Sequence, residues 1–538
     1  MQSKKNIETQ RYNMRHRYLA IILIILCVTG SIQGQSYITG NQLPNAINYL
    51  PAPPDTASML FVDDFQQWIW GKSLRDTPRG EQASQESLYG TERIATISSG
   101  IFGFEVSAAN SPAIWNLIER SGTTGALAVA SAKMRYKRAR PFVTMNEHTA
   151  GAYDNEETLS ADGSYPSAHT AFGWTAMMAL AEMAPALQDT LLRRGYEYGE
   201  SRVIVGAHWQ SDIDASLLIG GAVMARLHGN NDYLADLAEA KAEYQSLHGI
   251  NPSATRCADL LKILPGAPDT ASYRYYGDIA ALWYSANERD SLTSQILGDA
   301  DTSAYYLLDI LATAASFTST AYEMTHTQRL IAAAGRAVAG EVTRVAALSH
   351  RTNPSQQLDI VPMLPVISNG SSYPSLSAAL GWAAALALTE VAPDKQNKIL
   401  KRGYDYGYNA MVAATCYASD LLAGRVLAEC VLSRMHNDAA FLAMVDSARV
   451  EYLRLNPSAK ISSARAAAAP TLKRVGDWVF VNLGNRTGTV TIYSPTGQQL
   501  RTMTLAGDSR IPLEGLPHGS YVVTLASGKY STTLKVTR

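Results

Sequence analysis

The chain has 538 residues, 46% of them hydrophobic and 17% charged, and a net charge of -1. It is too long for one ordinary domain, and its composition is that of a globular protein rather than a disordered chain. Near-neutrality removes the electrostatic footprint expected of a nucleic-acid binder.

At the N-terminus Lys4, Lys5, Arg11, Arg15 and Arg17 precede an apolar run over residues 19–28, and small or polar residues follow (Thr29, Gly30, Ser31, Gly34). That run is short for a bilayer span, so residues 1–34 read as a cleaved secretory signal, with an uncleaved anchor as the alternative. No later stretch reads as transmembrane. Cys27 lies in the signal, and Cys257, Cys416 and Cys430 are too few for a disulfide scaffold. Cys416 and Cys430 fall along one helical region and read as small buried apolar residues.

The next feature is a repeat. Leu50-Pro51-Ala52-Pro53-Pro54-Asp55-Thr56-Ala57-Ser58 recurs as Leu264-Pro265-Gly266-Ala267-Pro268-Asp269-Thr270-Ala271-Ser272. Tyr165-Pro166-Ser167 recurs as Tyr373-Pro374-Ser375, Arg194-Gly195-Tyr196 as Arg402-Gly403-Tyr404, and Asn251-Pro252-Ser253-Ala254 as Asn456-Pro457-Ser458-Ala459. Units of about 200 residues suit domains with their own cores. Residues 171–186, 215–227 and 233–247 have helical composition, with Pro185 closing the first, and alternating strand patterns are scarce. The expected fold is mainly α: two tandem all-α bundles over 35–255 and 256–460. A linker over 461–470 follows. From 471 to 538 the pattern alternates between turn signals such as Pro495-Thr496-Gly497 and His518-Gly519, which predicts a small antiparallel β-sandwich.

Three segments of the first unit carry the chemistry: Lys133-x6-Arg140-Pro141, Tyr165-Pro166-Ser167-Ala168-His169, and Ser201-Arg202-x5-His208-x3-Asp212. Lys133 and Arg140 are two helical turns apart and are expected on one helix face, with Pro141 setting Arg140 near the helix end. Arginine grips phosphate oxygens through two N–H groups and lysine adds a point charge. Arg135, Lys137 and Arg138 read as a solvated face. Ser167, Ala168 and His169 look like a turn into a helix whose first N–H groups bind an anion. His208 and Asp212 have helical i,i+4 spacing, so the carboxylate can hold one ring nitrogen and leave the other nucleophilic. Taken singly, each segment also has an ordinary structural reading as a solvated face, a helix cap or a surface pair.

Taken together, they resemble the class A bacterial non-specific acid phosphatases, within the phosphatidic acid phosphatase type 2 and vanadium haloperoxidase superfamily. Thr77-Pro78-Arg79-Gly80, Phe102-Gly103 and Arg193-Arg194-Gly195-Tyr196 share that likeness, which covers roughly residues 45 to 250. The resemblance implies hydrolysis of small phosphate monoesters by a domain that is not membrane-embedded. His208 would be the nucleophile forming a phosphohistidine, Asp212 its orienting carboxylate and His169 the acid and base. Lys133, Arg140, Ser167, Arg202 and the Ala168 N–H would hold the phosphate. No metal or cofactor is implied, although vanadate could occupy the phosphate site. Ala168 stands where the family usually has glycine. Alternatives within the superfamily are a vanadium-dependent haloperoxidase and a lipid phosphate or pyrophosphate phosphatase. A surface binding protein is the non-enzyme alternative.

In the second unit Ser377 falls at the His169 position, Asn409 at Ser201, Ala410 at Arg202 and Cys416 at His208. The Lys133 position is ambiguous, with Glu341 there at constant offset. This unit is expected to be a degenerate partner packed on the first. The C-terminal segment, with Val490-Thr491-Ile492-Tyr493, Leu516-Pro517-His518-Gly519-Ser520-Tyr521 and a basic end, resembles the sorting domains of the type IX secretion system. With the N-terminal signal it implies export through the periplasm to the outer-membrane surface or the medium.

Overall fold

The computed structural model describes residues 36–248, 259–364, 370–457, 459, 471–475, 478–483, 487–506, 509–527 and 530–538. The signal segment, the 461–470 linker, Cys257 and the 251–254 motif lie outside the described residues. The chain divides into two compact units at Ile461/Ser462, the first helical and the second a small β unit.

In the β unit, β1 (Thr471–Val475), β2 (Trp478–Asn482) and β5 (Ser509–Pro512) form one antiparallel sheet in the order β1-β2-β5. The second sheet runs β4-β3-β6-β7, from β3 (Thr487–Tyr493), β4 (Gln499–Ala506), β6 (Ser520–Ser527) and β7 (Tyr530–Thr537). Alternate residues Val490, Ile492, Tyr521, Val523 and Leu525 point inward and share a core with Val479, Val481 and Ile511 from the first sheet.

In the helical unit, helices with nearly the same lengths follow one another twice. Ala168–Met183, Gln188–Ile204, Gln210–Leu227 and Asn231–His248 come first, then Leu376–Val391, Gln396–Val412, Ala418–Met435 and Ala439–Leu455. Both Ala168–Met183 and Leu376–Val391 are buried nearly all round, as central helices should be. A serine caps each, Ser167 accepting from the Thr170 N–H and Ser375 from the Ala378 N–H. Side-chain bonds recur as well. Tyr165 and Tyr373 donate to the carbonyls of Pro51 and Pro265. Glu243 receives the N–H groups of Ala113 and Ile114, and Glu451 those of His326 and Thr327. The two helix sets share one continuous apolar core.

Polar groups at the seam between the sets are paired. Glu429 accepts the indole N–H groups of Trp174 at 3.0 Å and Trp382 at 2.9 Å, and burial pushes its carboxyl up to about 8. His228 and His436 stack with ring centroids 3.4 Å apart and planes at 15°. Glu182 lies 2.8 Å from His228 Nε2, and Glu390 lies 3.3 Å from His228 Nδ1 and 3.0 Å from His436 Nε2. Glu182, His228 and His436 are close enough to share an ion. However, stacked rings set their in-plane lone pairs in parallel planes, which suits hydrogen-bonded ion pairs rather than coordination.

Candidate active site

Lys133 lies in the Ala130–Tyr136 helix, which stops at Lys137 in the left-handed region (φ 46) with its N–H on the Lys133 carbonyl. Arg140 follows with extended backbone and caps the short Pro141–Thr144 helix. The expectation that Lys133 and Arg140 share one helix face is therefore corrected: Lys137 breaks the helix between them. They converge anyway, because Lys133 Nζ lies 2.8 Å and Arg140 Nη2 3.1 Å from the same Asp162 Oδ2.

Arg138 also differs from its reading as part of a solvated face. It is buried and donates to Asp212 Oδ1 at 2.7 Å, to Ser211 Oγ at 2.7 Å and to Asp64 Oδ2. The left-handed turn reverses the chain, so Arg138 faces inward where helix periodicity would face it outward. Arg351 repeats this in the second helix set, bridging Asp278 and Asp420 with Ser419 Oγ as third partner. It also follows a left-handed helix end, at His350 (φ 51), whose N–H caps Ala346. That geometry puts Ala346 at the Lys133 position, not Glu341, and Asn353 at the Arg140 position.

His208 and Asp212 meet, but not within a helix. His208 precedes the N-cap Trp209 of the Gln210–Leu227 helix. Asp212, in its first turn, reaches back: Oδ2 accepts the Trp209 N–H at 2.8 Å and faces His208 Nδ1 at 3.3 Å, with the Ser164 hydroxyl as a further donor. Gly206 (φ 82) turns the chain between Arg202 and His208, and the Arg202 carbonyl then accepts the N–H groups of Ala207 and His208. Burial alone would raise the Asp212 carboxyl. Arg138, His208 and Ser164 outweigh it and hold that carboxyl well below the usual range, so it stays an acceptor that fixes the Nδ1–H tautomer.

The opposite nitrogen, His208 Nε2, lies 2.9 Å from Arg140 Nη1. Arg202 gives Nη2 to Asp154 Oδ1 at 2.6 Å, while its Nε and Nη1, though buried, have no hydrogen-bond partner among the described residues. His169 stacks on Tyr198 with centroids 4.0 Å apart and bonds the Glu86 backbone, and its buried Nε2 likewise lacks a partner. Unpartnered buried donors also occur elsewhere among the described residues, as at Arg93, Arg120 and Arg425; here they accompany two histidines and further cations, a setting that suits an anion. Burial first, and then nearby arginines, push both histidines well below the usual imidazole range. Ala168 has ordinary helical backbone as the first residue of its helix, so that position does not need the left-handed conformation that favours glycine.

The structure joins Lys133, Arg140, His208 and Asp212 through shared contacts, with Arg202 and His169 nearby, and sequence reasoning missed the carboxylates and hydroxyl behind them: Asp64, Asp154, Asp162 and Ser164. No local motif marks these; only the fold brings them in.

A PAP2 superfamily model matches residues 114–233, a span holding Lys133, Arg140, Ser167, His169, Arg202, His208 and Asp212. A non-specific acid phosphatase of Providencia stuartii is 40% identical over 215 residues, covering 39% of this chain and 85% of that protein. One of Salmonella typhimurium is 37% identical over 233 residues, 43% of this chain and 93% of its own length. An acid phosphatase of Zymomonas mobilis is 32% identical over 197 residues, 37% of this chain and 74% of its own length. This chain is an acid phosphatase of the PAP2 superfamily.

In this acid phosphatase the corresponding place in the second helix set is mostly apolar, although Asp420, Ser375 and Arg425 remain beside Cys416. Ala378, Ala410, Met411, Cys416 and Leu421 pack together with Leu282, and Leu358 and Ile360 lie against them. Burial first, then Asp420, push the Cys416 thiol up to about 12, which leaves it without nucleophilic thiolate. Among the described residues no helix is long and apolar enough to cross a membrane.

Proposed function

We propose that this enzyme hydrolyses small phosphate monoesters through a phosphohistidine on His208, and that it is exported. The phosphohistidine reading is supported by one arrangement: His208 Nδ1 is committed to Asp212, Nε2 lies against Arg140, one of the cations expected to hold phosphate, and Arg202 and His208 both act on His169, whose Nε2 has no partner among the described residues. The ester phosphate would lie among Lys133, Arg140, Arg202, the Ser167 hydroxyl and the Ala168 N–H. Their cationic and dipolar charge offsets what develops on the equatorial oxygens, so the chemistry does not depend on a cofactor. His208 Nε2 attacks phosphorus, and the P–N bond forms as the P–O ester bond breaks. Burial and Arg202 hold His169 low, and the negative charge of the bound phosphate offsets them, so His169 takes up a proton with the substrate and gives it to the leaving alkoxide. Neutral His169 then takes a proton from water as that water attacks phosphorus, the P–N bond breaks and phosphate leaves. Vanadate would compete for the same cradle.

The recurrence of helices, caps and bridging arginines supports a tandem duplication. Residues 35–255 would be the catalytic copy and 256–460 a degenerate copy packed on it. The C-terminal β-sandwich over 471–538 would be a sorting domain for type IX secretion, with residues 1–34 directing passage through the inner membrane.

Rapid quenching with 32P-labelled aryl phosphate tests the mechanism. Acid-labile, base-stable label is expected on wild type and absent from His208→Ala. Full turnover with no labelled histidine at any quench time would refute it.

A further inference from the structure

We propose that Arg274, on the helix set without the catalytic residues, is a positioning residue for the reaction of the other set. The claim rests on the assignment of His208 and Asp212 above.

Four carboxylates stand at the starts of two first-set helices: Asp63 and Asp64 in Phe61–Ser73, and Asp212 and Asp214 in Gln210–Leu227. Arg138 pairs with Asp64 and Asp212. Asp63 and Asp214 instead pair with Arg274, at 3.3 and 2.6 Å. Arg274 belongs to the Tyr273–Ser285 helix, in the set that carries Cys416 and Ala410. One of the two guanidiniums that balance this carboxylate group thus comes from the other helix set.

The arrangement is not a repeat of something in both sets. At the corresponding positions, Gly277 stands for Asp63, Leu422 for Asp214, and Leu60 for Arg274. Gly277 is also a point of close approach between the two helices: a Cβ there would lie 2.4 Å from the Asp63 Cβ, so a side chain at 277 would push the helix that carries Arg274 away. Asp63 shows what happens when the balance is thin. Burial first raises its carboxyl to about 8, with Arg274 the opposing influence and Asp214, Asp64 and Asp278 adding to the rise.

The path from Arg274 to the reacting nitrogen is short. Asp64 takes the Ser211 N–H at 2.7 Å and the Ser211 hydroxyl at 2.8 Å, which sets the first turn of the helix bearing Asp212. Asp212 orients His208. Arg274 pins Asp63 and Asp214, the immediate neighbours of that frame on both helices. Without it, Asp214 is left without its cation beside the turn that bears Asp212, Asp63 loses the group that ties it to the other helix, and the two helix starts are no longer held together.

The test compares Arg274→Met, Arg274→Lys and Arg274→Met/Asp214→Asn with Arg402→Met in the full-length protein. Arg402 makes a partly buried pair with Asp299 that is confined to the second set. Aryl phosphate hydrolysis and the 15N shifts of the His208 imidazole are read at a temperature below every melting midpoint. Arg274→Met is expected to lower kcat about 10- to 100-fold with KM little changed, and to move the His208 resonances. Removing the orphaned carboxylate in the double variant recovers most of the kcat. Arg402→Met lowers the melting temperature at unchanged kcat. Wild-type kcat and resonances in Arg274→Met, or an equal kcat loss in Arg402→Met, overturn the proposal. Should Arg274→Met not fold, Arg274→Lys decides: it keeps the charge but loses the two-carboxylate fork, and wild-type values there overturn the proposal too. If wild type does not hydrolyse phosphate esters, the phosphohistidine reading fails, while the His208 resonances still decide whether Arg274 positions that ring.

Discussion

Replacing Arg138 by methionine removes the cation shared by Asp64 and Asp212, whose side chains are 1% and 0% exposed. Taking one partner from a buried pair costs about 3–5 kcal/mol, because the charge left behind is neither solvated nor balanced. Asp212 then loses the foremost influence holding its carboxyl low, and burial favours its protonated form. Protonated Asp212 no longer enforces the Nδ1–H tautomer of His208, a loss that costs up to about 10⁴ in kcat where a carboxylate orients a catalytic histidine. The sign follows from the depressed carboxyl. In wild type its stabilisation is present above the unfolded value near pH ~3.9 and is lost as pH falls through the folded one; in Arg138→Met it is already missing at neutral pH. Arg351→Met is the matched comparison, since Arg351 bridges Asp278 and Asp420 in the same way. Urea unfolding should show similar destabilisation for both variants. Aryl phosphate hydrolysis, measured well below both midpoints, should collapse in Arg138→Met and be largely kept in Arg351→Met. Equal activity in the two variants would refute the reasoning.

Arg202→Met removes two buried donors that the proposed mechanism gives to the phosphate and should lower kcat/KM by about 10- to 100-fold, at about 1.5–3 kcal/mol for charged hydrogen bonds; steady-state kinetics checks it. The seam cluster gives a pH signature. His228 is raised to about 9, so its contribution is complete below ~6.5 and is lost as pH rises through 9; the melting temperature should fall over that window, and less so in His228→Gln. Cys416→Ala should leave kcat unchanged, and the native thiol should resist iodoacetamide at pH 8 where the urea-unfolded thiol reacts.

The helical architecture was legible because Ala-, Leu- and Met-rich runs closed by proline state their own boundaries, as Pro185 does after Met183. The repeat was legible because proline, glycine and tyrosine positions recur. The candidate site residues were legible as types at fixed spacings, yet two of the reasons given for their placement were wrong. Helix periodicity across 133–140 ignored the left-handed Lys137, so Arg138 was turned outward and the chief partner of Asp212 was lost. The i,i+4 rule joined His208 to Asp212 although His208 precedes the helix; the capping geometry of Asp212 happens to reach the same ring. Asp64, Asp154 and Asp162 lie on segments remote in sequence from the groups they hold, and Arg274 lies in another helix set. Contacts of that range are set by tertiary packing and leave no spacing to read.

The packing at Cys416 makes the loss of chemistry in the second helix set hard to reverse. A histidine restored at 416 would still find Asp420 and the Ser375 hydroxyl beside it, but it would be packed among Ala410, Met411 and Leu421, with no arginine at 410 and no histidine at 377 to complete the set. That change alone would not bring back activity, because the other groups of the set are missing as well. Freed from turnover, that set can change wherever its contact face is kept, and the residues it contributes to its neighbour become the ones that selection still sees.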